Sequence, residues 1–197
     1  MRSLIITAVA AAILLVGAAP AAIPEGPINF IKVDELKTLL DQGRRDLVYV
    51  TGPPTIRQCV DRGAGLERAL AAAGLDPASA LRRVEVPALN GTEGHRAVPR
   101  VLADGRPDAV FCANDMLALG LLRRLGRAGV AVPGDLAVVG YDDIEFAADA
   151  AVPLTSVRQP KYQLGRAAGE LLLDEADRPD EHEHRRFVFK PELVARA

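Results

Sequence analysis

Three polar side chains stand at predicted strand ends or on a helix beside them, and together they could hold a small hydroxylated ligand. Asn114 follows the apolar run 109–113, and Asp142 comes shortly after the apolar run 136–139. Arg62 lies on a predicted helix from which a guanidinium can reach back over the strand ends. A carboxylate accepts, a guanidinium donates and an amide does both, which suits hydroxyl groups because each hydroxyl also does both. These residue types predict a site for a polyol or a sugar.

Each of these side chains also has a purely structural interpretation. Arg62 could be a solvated helix residue, and either Asp142 or Asp143 could cap the short helix that follows them. Asp115 comes directly after Asn114. We expect Asp115 to be the N-cap of the next helix, since aspartate commonly accepts from the free N–H groups of a first helical turn.

The stretch 107–143 positions two of the three candidate residues. It contains two short apolar strands on either side of a helix with one apolar face, formed by Leu117, Leu121, Leu122 and Leu125. Two wholly apolar strands joined by a helix predict a βαβ unit whose sheet is buried on both faces. Open sheets of this kind bind ligands at the carboxyl ends of their strands, where Asn114 and Asp142 stand.

The alternation of strands and helices extends from residue 47 to the end of the chain. It predicts strands at 47–50, 83–86, 109–113, 136–139, 154–157 and 186–190, and helices at 56–73, 92–102, 115–128 and 162–176. Strands separated by helices indicate an α/β fold. The predicted fold class is a three-layer, doubly wound and mostly parallel sheet.

The composition narrows the possible functions. With 197 residues, 49% of them hydrophobic and no Trp, the chain can form one core of Leu, Val and Ala. The net charge is −2 and both signs are mixed along the chain, so the sequence has no basic region of the kind that binds nucleic acid. No DNA binding is therefore expected. No catalytic triad, P-loop or dinucleotide-binding motif follows a strand. We therefore predict neither an enzyme nor a bound cofactor.

The cysteine and histidine spacings favour no metal site. Cys59 and Cys112 are the only cysteines, and Cys112 lies inside an apolar strand, which favours free buried thiols over a disulfide. The tract 181–184 reads Glu-His-Glu-His, and an extended chain would place both histidines on one face. The charges on either side favour a solvated loop instead.

Three runs of sequence carry a resemblance to a known family: ANDMLALG, VPGDLAVVGYDD and PLTSVRQP. They resemble the sensor domain of LacI/GalR-type transcriptional regulators over about residues 47–197. The resemblance implies a single lobe of the type I periplasmic-binding-protein-like fold. It also implies a domain that binds a small, sugar-like effector.

The resemblance agrees with the candidate residues and adds two more. In such sensors the effector is held by residues matching Arg62, Asn114 and Asp142. Gln159 matches a position near the hinge and the pocket. Leu89 stands where an aromatic residue often follows the second strand, so this chain lacks that stacking surface for a flat sugar face.

A homodimer is a further implication of the resemblance. In the regulators it concerns, the helix matching 115–128 and the loop after the YDD motif form much of a dimer interface. Leu117 and Leu121 could therefore face a partner, or they could be part of the core.

The first 46 residues do not share this resemblance. Residues 1–22 have Arg2, a long apolar run and an Ala-Pro-Ala pattern, which favours a signal peptide over an N-terminal anchor. Residues 23–46 form a linker with a short helix, and 24–46 faintly resembles the opening of a rhodanese domain without its reactive cysteine loop. The first segment indicates export, whereas the family resemblance indicates a cytoplasmic protein.

Regulators of this type begin with a helix-turn-helix and a first sugar-binding lobe, and neither is recognisable in this sequence. The preferred interpretation is an incomplete sensor lobe that binds a sugar-like effector and does not bind DNA by itself. One alternative is an exported periplasmic sugar-binding protein that serves a transporter or receptor. Another is an inactive fusion or gene fragment.

Overall fold

The computed structural model describes residues 46–196, and its strands form one sheet. Within that range the strands are β1 (Leu47–Thr51), β2 (Leu81–Glu85), β3 (Ala109–Cys112), β4 (Ala137–Asp142), β5 (Thr155–Arg158) and β6 (Glu192–Val194). The helices of the same range are α1 (Arg57–Ala72), α2 (Pro77–Ala80), α3 (Gly91–Val101), α4 (Asp115–Arg127), α5 (Glu145–Ala148) and α6 (Lys161–Asp177). At least one helix separates each strand from the next between β1 and β5, and two helices, α1 and α2, lie between β1 and β2.

The strand order reverses its direction once, at β1. Across the sheet the order is β2-β1-β3-β4-β5-β6, with β1 to β5 parallel and β6 antiparallel to β5. Parallel crossovers are right-handed, so the reversal puts α1 on one face and both α3 and α4 on the other. The predicted fold class, a three-layer, doubly wound and mostly parallel α/β sheet, is confirmed.

The central strands are buried on both faces. Every residue of β1 and β3 is buried, as their uninterrupted apolar sequences predict. Tyr49 and Phe111 are partners in register, and their rings stack with centroids 5.3 Å apart. Cys59 and Cys112 are buried free thiols, as predicted.

Strand β2 begins earlier than the sequence predicts. Leu81 is its first residue, whereas the predicted strand begins at residue 83. Leu81 is buried and pairs in register with Leu47 of β1, so burial of this leucine extends the strand towards α2.

The final strand predicted at 186–190 is wrong. That range has no regular structure, and the last strand is β6. Leu193 of β6 pairs with Val157 of β5 and packs against the core, whereas Phe187 is 43% exposed. The sheet edge therefore pairs with the segment whose leucine reaches the core.

Helix α6 lies apart from the core. None of its residues is buried, and Tyr162, Leu172 and Leu173 are 78%, 68% and 63% exposed. These three apolar side chains are therefore left largely uncovered by the rest of the described chain. Within residues 46–196, no helix is both long enough and apolar enough to cross a membrane.

The predictions for the beginning of the chain lie outside the described residues. They comprise the signal peptide or anchor at 1–22, the linker and helix at 23–46, and the rhodanese-like resemblance at 24–46. Of these segments, only residue 46 is described.

Helices α3 and α4 cross at an unusually short separation. A side chain on Gly94 would overlap the backbone of Leu117, and a side chain on Gly120 would overlap the backbone of Gly91. Leu117 and Leu121 are both 0% exposed. Of the two interpretations left open for these leucines, the structure supports the core. They do not form a surface that a partner could contact.

We predict opposite effects for two glycine-to-alanine substitutions in α4. Gly120→Ala should lower the free energy of unfolding by about 1–3 kcal/mol, because the added methyl group meets the carbonyl group of Gly91. Gly126→Ala should leave stability unchanged or raise it by up to about 1 kcal/mol, since nothing lies within 4 Å of that position. Urea denaturation of both variants measures this. Equal effects would contradict the close crossing.

Candidate functional site

The guanidinium of Arg62 is held at the carboxyl end of the sheet. The residue lies on α1 and is 5% exposed. Its Nη1 donates to the carbonyl oxygen of Ala113, and its Nη2 lies 3.3 Å from Oδ1 of Asp142 and 3.4 Å from Oε1 of Gln58. The Cζ atom stands 3.7 Å above the ring centroid of Tyr141. Arg62 is therefore not a solvated helix residue.

This environment compensates for the burial of a positive charge. A desolvated guanidinium over an aromatic ring gains about 2 kcal/mol from the ring quadrupole. The carboxylate of Asp142 supplies the opposite charge, and its side chain is 29% exposed. Arg62 thus joins α1 to the ends of β3 and β4.

Asp142 stands where two neighbouring strands end. It is the last residue of β4, and its Oδ1 accepts from Nε2 of Gln159 at 2.6 Å as well as from Arg62. Gln159 directly follows β5, the parallel neighbour of β4. Both described bonds use Oδ1, so Oδ2 can accept a hydrogen bond from a ligand.

The backbone at the end of β4 adopts a conformation that L-residues rarely take. Asp142 has φ 108° and Asp143 has φ 48°. Such angles are uncommon outside glycine and persist where surrounding contacts fix the chain. The side-chain bonds of both aspartates provide those contacts.

Burial raises the pKa of the Asp142 carboxyl above its usual value, while the Arg62 guanidinium and the bond from Gln159 act in the opposite direction. The carboxylate is thus partly desolvated. Hydrogen bonds to a partly desolvated charge are stronger than those in bulk water, because the local dielectric is lower. A ligand hydroxyl donating to Asp142 would benefit from this.

Asn114, not Asp115, is the N-cap of α4. Its Oδ1 accepts from the backbone N–H of Leu117 at 3.0 Å, and its Nδ2 donates to the carbonyl oxygen of Leu89 at 3.1 Å. The prediction that Asp115 caps the helix is wrong, because the chain places Asn114 in the extended conformation that a cap requires. The Asn114 amide keeps one N–H and one lone pair for other contacts.

Asp115 instead ties α4 to β5 and to the turn after β4. The residue is 0% exposed, and its two oxygens accept from Ser156 Oγ at 2.6 Å and from the N–H of Ile144 at 2.9 Å. Burial raises the pKa of this carboxyl. A side chain on Gly140 would occupy the position of the Asp115 carboxylate, so only glycine fits there.

Asp143 anchors the same turn from the outer side of the sheet. Its side chain is 7% exposed, and its oxygens lie 2.6 Å from Arg158 Nε and 2.7 Å from Arg196 Nη2. Its carbonyl oxygen accepts from Lys161 Nζ at 2.8 Å. Burial acts to raise the pKa of Asp143, but the two arginines outweigh it and hold that pKa below its usual value.

The structure brings the five predicted ligand residues together at the edge of the sheet formed by the carboxyl ends of its strands. Asp142 contacts both Arg62 and Gln159 directly. Asn114 follows the carbonyl group that Arg62 binds, and the carbonyl oxygen of Leu89 accepts from Asn114. Their contacts are to the protein itself. Contact with a ligand remains a prediction for each of them.

Sequence reasoning missed the residues that hold this group in place. Tyr141 and Gln58 contact the Arg62 guanidinium, and Arg196 and Ser156 bind the aspartates of the turn. No spacing pattern links them, because their contacts depend on how distant strands pair. The one available signal was Tyr141, which directly precedes Asp142 at a strand end.

The described residues also form an apolar cavity of about 410 Å³ away from this edge. Leu122, Val138, Leu154 and Leu193 are among its lining residues, and none of the five predicted ligand residues lines it. The lining is mainly apolar, with Thr155 and Arg196 as its polar members, so the polar groups predicted to bind a ligand lie at the strand ends instead.

The sequence model of one protein family, the periplasmic binding protein-like domain, matches residues 36–197 of this chain. The match begins inside the stretch predicted to be a linker and helix. It therefore includes the end of the segment with the faint rhodanese-like resemblance.

The chain is similar to curated transcriptional repressors. The HTH-type transcriptional repressor PurR of Vibrio campbellii is 41% identical over 167 residues, which cover 81% of this chain and 47% of that protein. PurR of Aliivibrio fischeri strain ES114 is 36% identical, with 82% of this chain and 48% of that protein covered. The chain thus spans about half the length of the curated relatives it matches.

Solved structures of LacI-type regulators have the same fold. One is a LacI family transcriptional regulator from Enterococcus faecium with bound ribose, at TM-score 0.73 and 28% identity, covering 83% of this chain and 60% of that one. Another is the regulator CelR in complex with cellobiose, at TM-score 0.72 and 33% identity, covering 90% and 56%. A dimeric Lac repressor has TM-score 0.73 at 26% identity, covering 86% and 60%.

We predict that Asp143→Asn makes the fold less stable and less sensitive to acid. The lowered pKa means that the ion pairs of Asp143 stabilise the protein above the ordinary aspartate pKa of about 3.9, and that this stabilisation is lost as the pH falls through the folded-state value. At pH 7 the loss of these bonds should lower the free energy of unfolding by roughly 1.5–3 kcal/mol. Below about pH 5 the difference from wild type should shrink.

Denaturation curves between pH 7 and pH 2 measure this difference. Asp149→Asn, which changes an exposed carboxylate of the same segment, is the matched control and should follow wild type. A constant difference between Asp143→Asn and wild type at every pH would refute the role of the ion pairs.

Proposed function

The chain belongs to the periplasmic binding protein-like domain family, as a sensor domain of the LacI/GalR type, and on that premise we propose that it binds a small, sugar-like effector at the carboxyl edge of its sheet. The proposed binding residues are Arg62, Asp142 and Gln159, with Asn114 and Leu89 beside them. The observation that carries the proposal is that Asp142, at the end of β4, binds both Arg62 and Gln159.

This group offers what a polyol requires. Asp142 accepts, the guanidinium of Arg62 donates, and the amides of Gln159 and Asn114 do both. A ligand that leaves such a group unpaired loses roughly 1–3 kcal/mol for each, which gives selectivity for a particular arrangement of hydroxyl groups. Leu89 would supply an apolar contact where a stacking ring is not available.

The solved relatives support the class of ligand. The matched structures from Enterococcus faecium and of CelR contain ribose and cellobiose respectively. Both ligands are sugars, and we extend that class, without naming a particular sugar, to this chain. Asp142 is suited to such a ligand because its bonds to Arg62 and Gln159 hold it in place before the ligand binds. Little ordering is therefore needed on binding.

Repression and self-association are wider parts of the proposal. The curated relatives are named transcriptional repressors, and we propose that this chain serves as the sensing part of such a regulator without contacting DNA itself. A homodimer through α4 would use its exposed side, where Met116 is 44% exposed and Leu122 is partly exposed. Leu117 and Leu121 have no part in it because they are buried.

The binding experiment compares wild type with Asp142→Asn. Ribose, cellobiose and a wider sugar panel are titrated, with nucleobases as a contrasting ligand class, and melting temperature and calorimetric heat are recorded. We expect one sugar to raise the melting temperature of wild type in a saturable way. Asp142→Asn should weaken that sugar by about tenfold or more, since a hydrogen bond to a charged group contributes roughly 1.5–3 kcal/mol.

Glu145→Gln is the matched control, because it neutralises an exposed carboxylate close to Asp142 in the chain. It should bind the sugar as wild type does. The proposal fails if no sugar affects wild type, or if Asp142→Asn and Glu145→Gln bind it equally well.

A further inference from the structure

A second group of polar side chains lies at the carboxyl end of α6, away from the strand ends. Glu175 stands in the last turns of that helix, and His182 and His184 follow it. One potential ligand atom from each of the three residues lies within 4.8 Å of the others. The two imidazole rings meet edge to face, with centroids 5.2 Å apart. The solvated loop expected from the sequence therefore brings both histidines together.

His182 is held in an orientation that suits a metal ligand. Its side chain is 4% exposed, and its Nδ1 lies 2.9 Å from Oδ2 of Asp174. An ionised carboxylate only accepts, so in the tautomer that satisfies this contact Nδ1–H donates to Asp174 and Nε2 is left to bind a metal. Histidines that bind metals commonly donate their other ring N–H to a carboxylate in this way.

Hydrogen bonds of the surrounding chain hold His182 in place. The N–H groups of Glu181 and His182 both donate to the carbonyl oxygen of Arg178, at 3.1 and 2.9 Å, which closes a turn after the helix. The guanidinium of Arg178 pairs with Asp174, so its positive charge is opposed by a carboxylate beside the site. Glu175 and His184 are exposed and can rotate.

Two imidazole nitrogens and one carboxylate oxygen form a donor set for borderline divalent ions. Zn²⁺ takes such sets in four-coordinate sites with a water molecule as the fourth ligand, whereas Mg²⁺ and Ca²⁺ prefer oxygen ligands. Tetrahedral bonds of about 2.05 Å require ligand atoms about 3.3 Å apart. The ligand atoms now lie within 4.8 Å of one another, so the two exposed side chains would have to rotate to reach that spacing.

We propose that Glu175, His182 and His184 bind one divalent transition-metal ion, with Zn²⁺ as the reference ion, and that Asp174 positions His182 for it. The ion would fasten the segment after α6 to the end of that helix. This segment leads to β6 and to Arg196, which binds Asp143 in the turn beside the candidate effector site. The proposal does not depend on an effector being bound.

The test uses the untagged full chain after treatment with a chelator. Calorimetric titration with Zn²⁺ should show one ion per chain and a rise in melting temperature, and Mg²⁺ at the same concentration should show neither. His184→Ala and Glu175→Gln should each weaken Zn²⁺ binding at least tenfold. Asp174→Asn should weaken it by about 10–100-fold, the usual effect of removing such a positioning carboxylate.

Glu181→Gln is the matched control, because it removes an exposed carboxylate from the same loop without removing a proposed ligand. It should bind Zn²⁺ as wild type does, and circular dichroism should show that every variant is folded. The proposal is overturned if wild type does not bind Zn²⁺. It is equally overturned if His184→Ala and Glu175→Gln, both folded, bind it as tightly as Glu181→Gln.

Discussion

The arrangement of the candidate site depends on the buried guanidinium of Arg62. A charge that is only 5% exposed must be compensated, because removing one partner of a buried pair leaves the other uncompensated at a cost of about 3–5 kcal/mol. Arg62 meets this requirement with the carbonyl group of Ala113, the ring of Tyr141 and the carboxylate of Asp142. These partners lie on or directly after β3 and β4. The need to neutralise one side chain therefore holds a helix against two strand ends.

The turn after β4 is fixed from its other side by a second set of charges. Asp143 binds Arg158 and Arg196, while the buried Asp115 binds Ser156 and the backbone of Ile144. These contacts maintain the positive φ angles that direct Asp142 towards Arg62 and Gln159. A rigid carboxylate, partly desolvated and bordered by two donors, is the physical basis for proposing a hydroxylated ligand at this edge.

Much of the fold could be predicted because its strands are short, apolar and buried on both faces. Asp142 could be chosen as a candidate because α/β sheets place ligand residues at strand ends, and Arg62 because a guanidinium on the neighbouring helix can reach those ends. The roles of Asn114 and Asp115 could not be predicted, since either residue can cap a helix. Asp115 is instead bound by Ser156, which reaches it only in the folded chain. The last strand was misplaced for a related reason. Its position depends on Leu193 reaching the core beside β5, and the local sequence carries no signal for that contact.

The most direct measurement of the central claim is a ¹H–¹⁵N NMR titration of the labelled chain with ribose, cellobiose and the wider sugar panel. It follows the side-chain amide of Gln159, the Nε–H of Arg62 and the backbone amides of Asp142 and Asp143. The account predicts that one sugar shifts these signals together, with a single dissociation constant. The backbone amides of Val138 and Leu193, which line the apolar cavity, should not move. Shifts confined to that cavity, or no shift with any sugar of the panel, would contradict it.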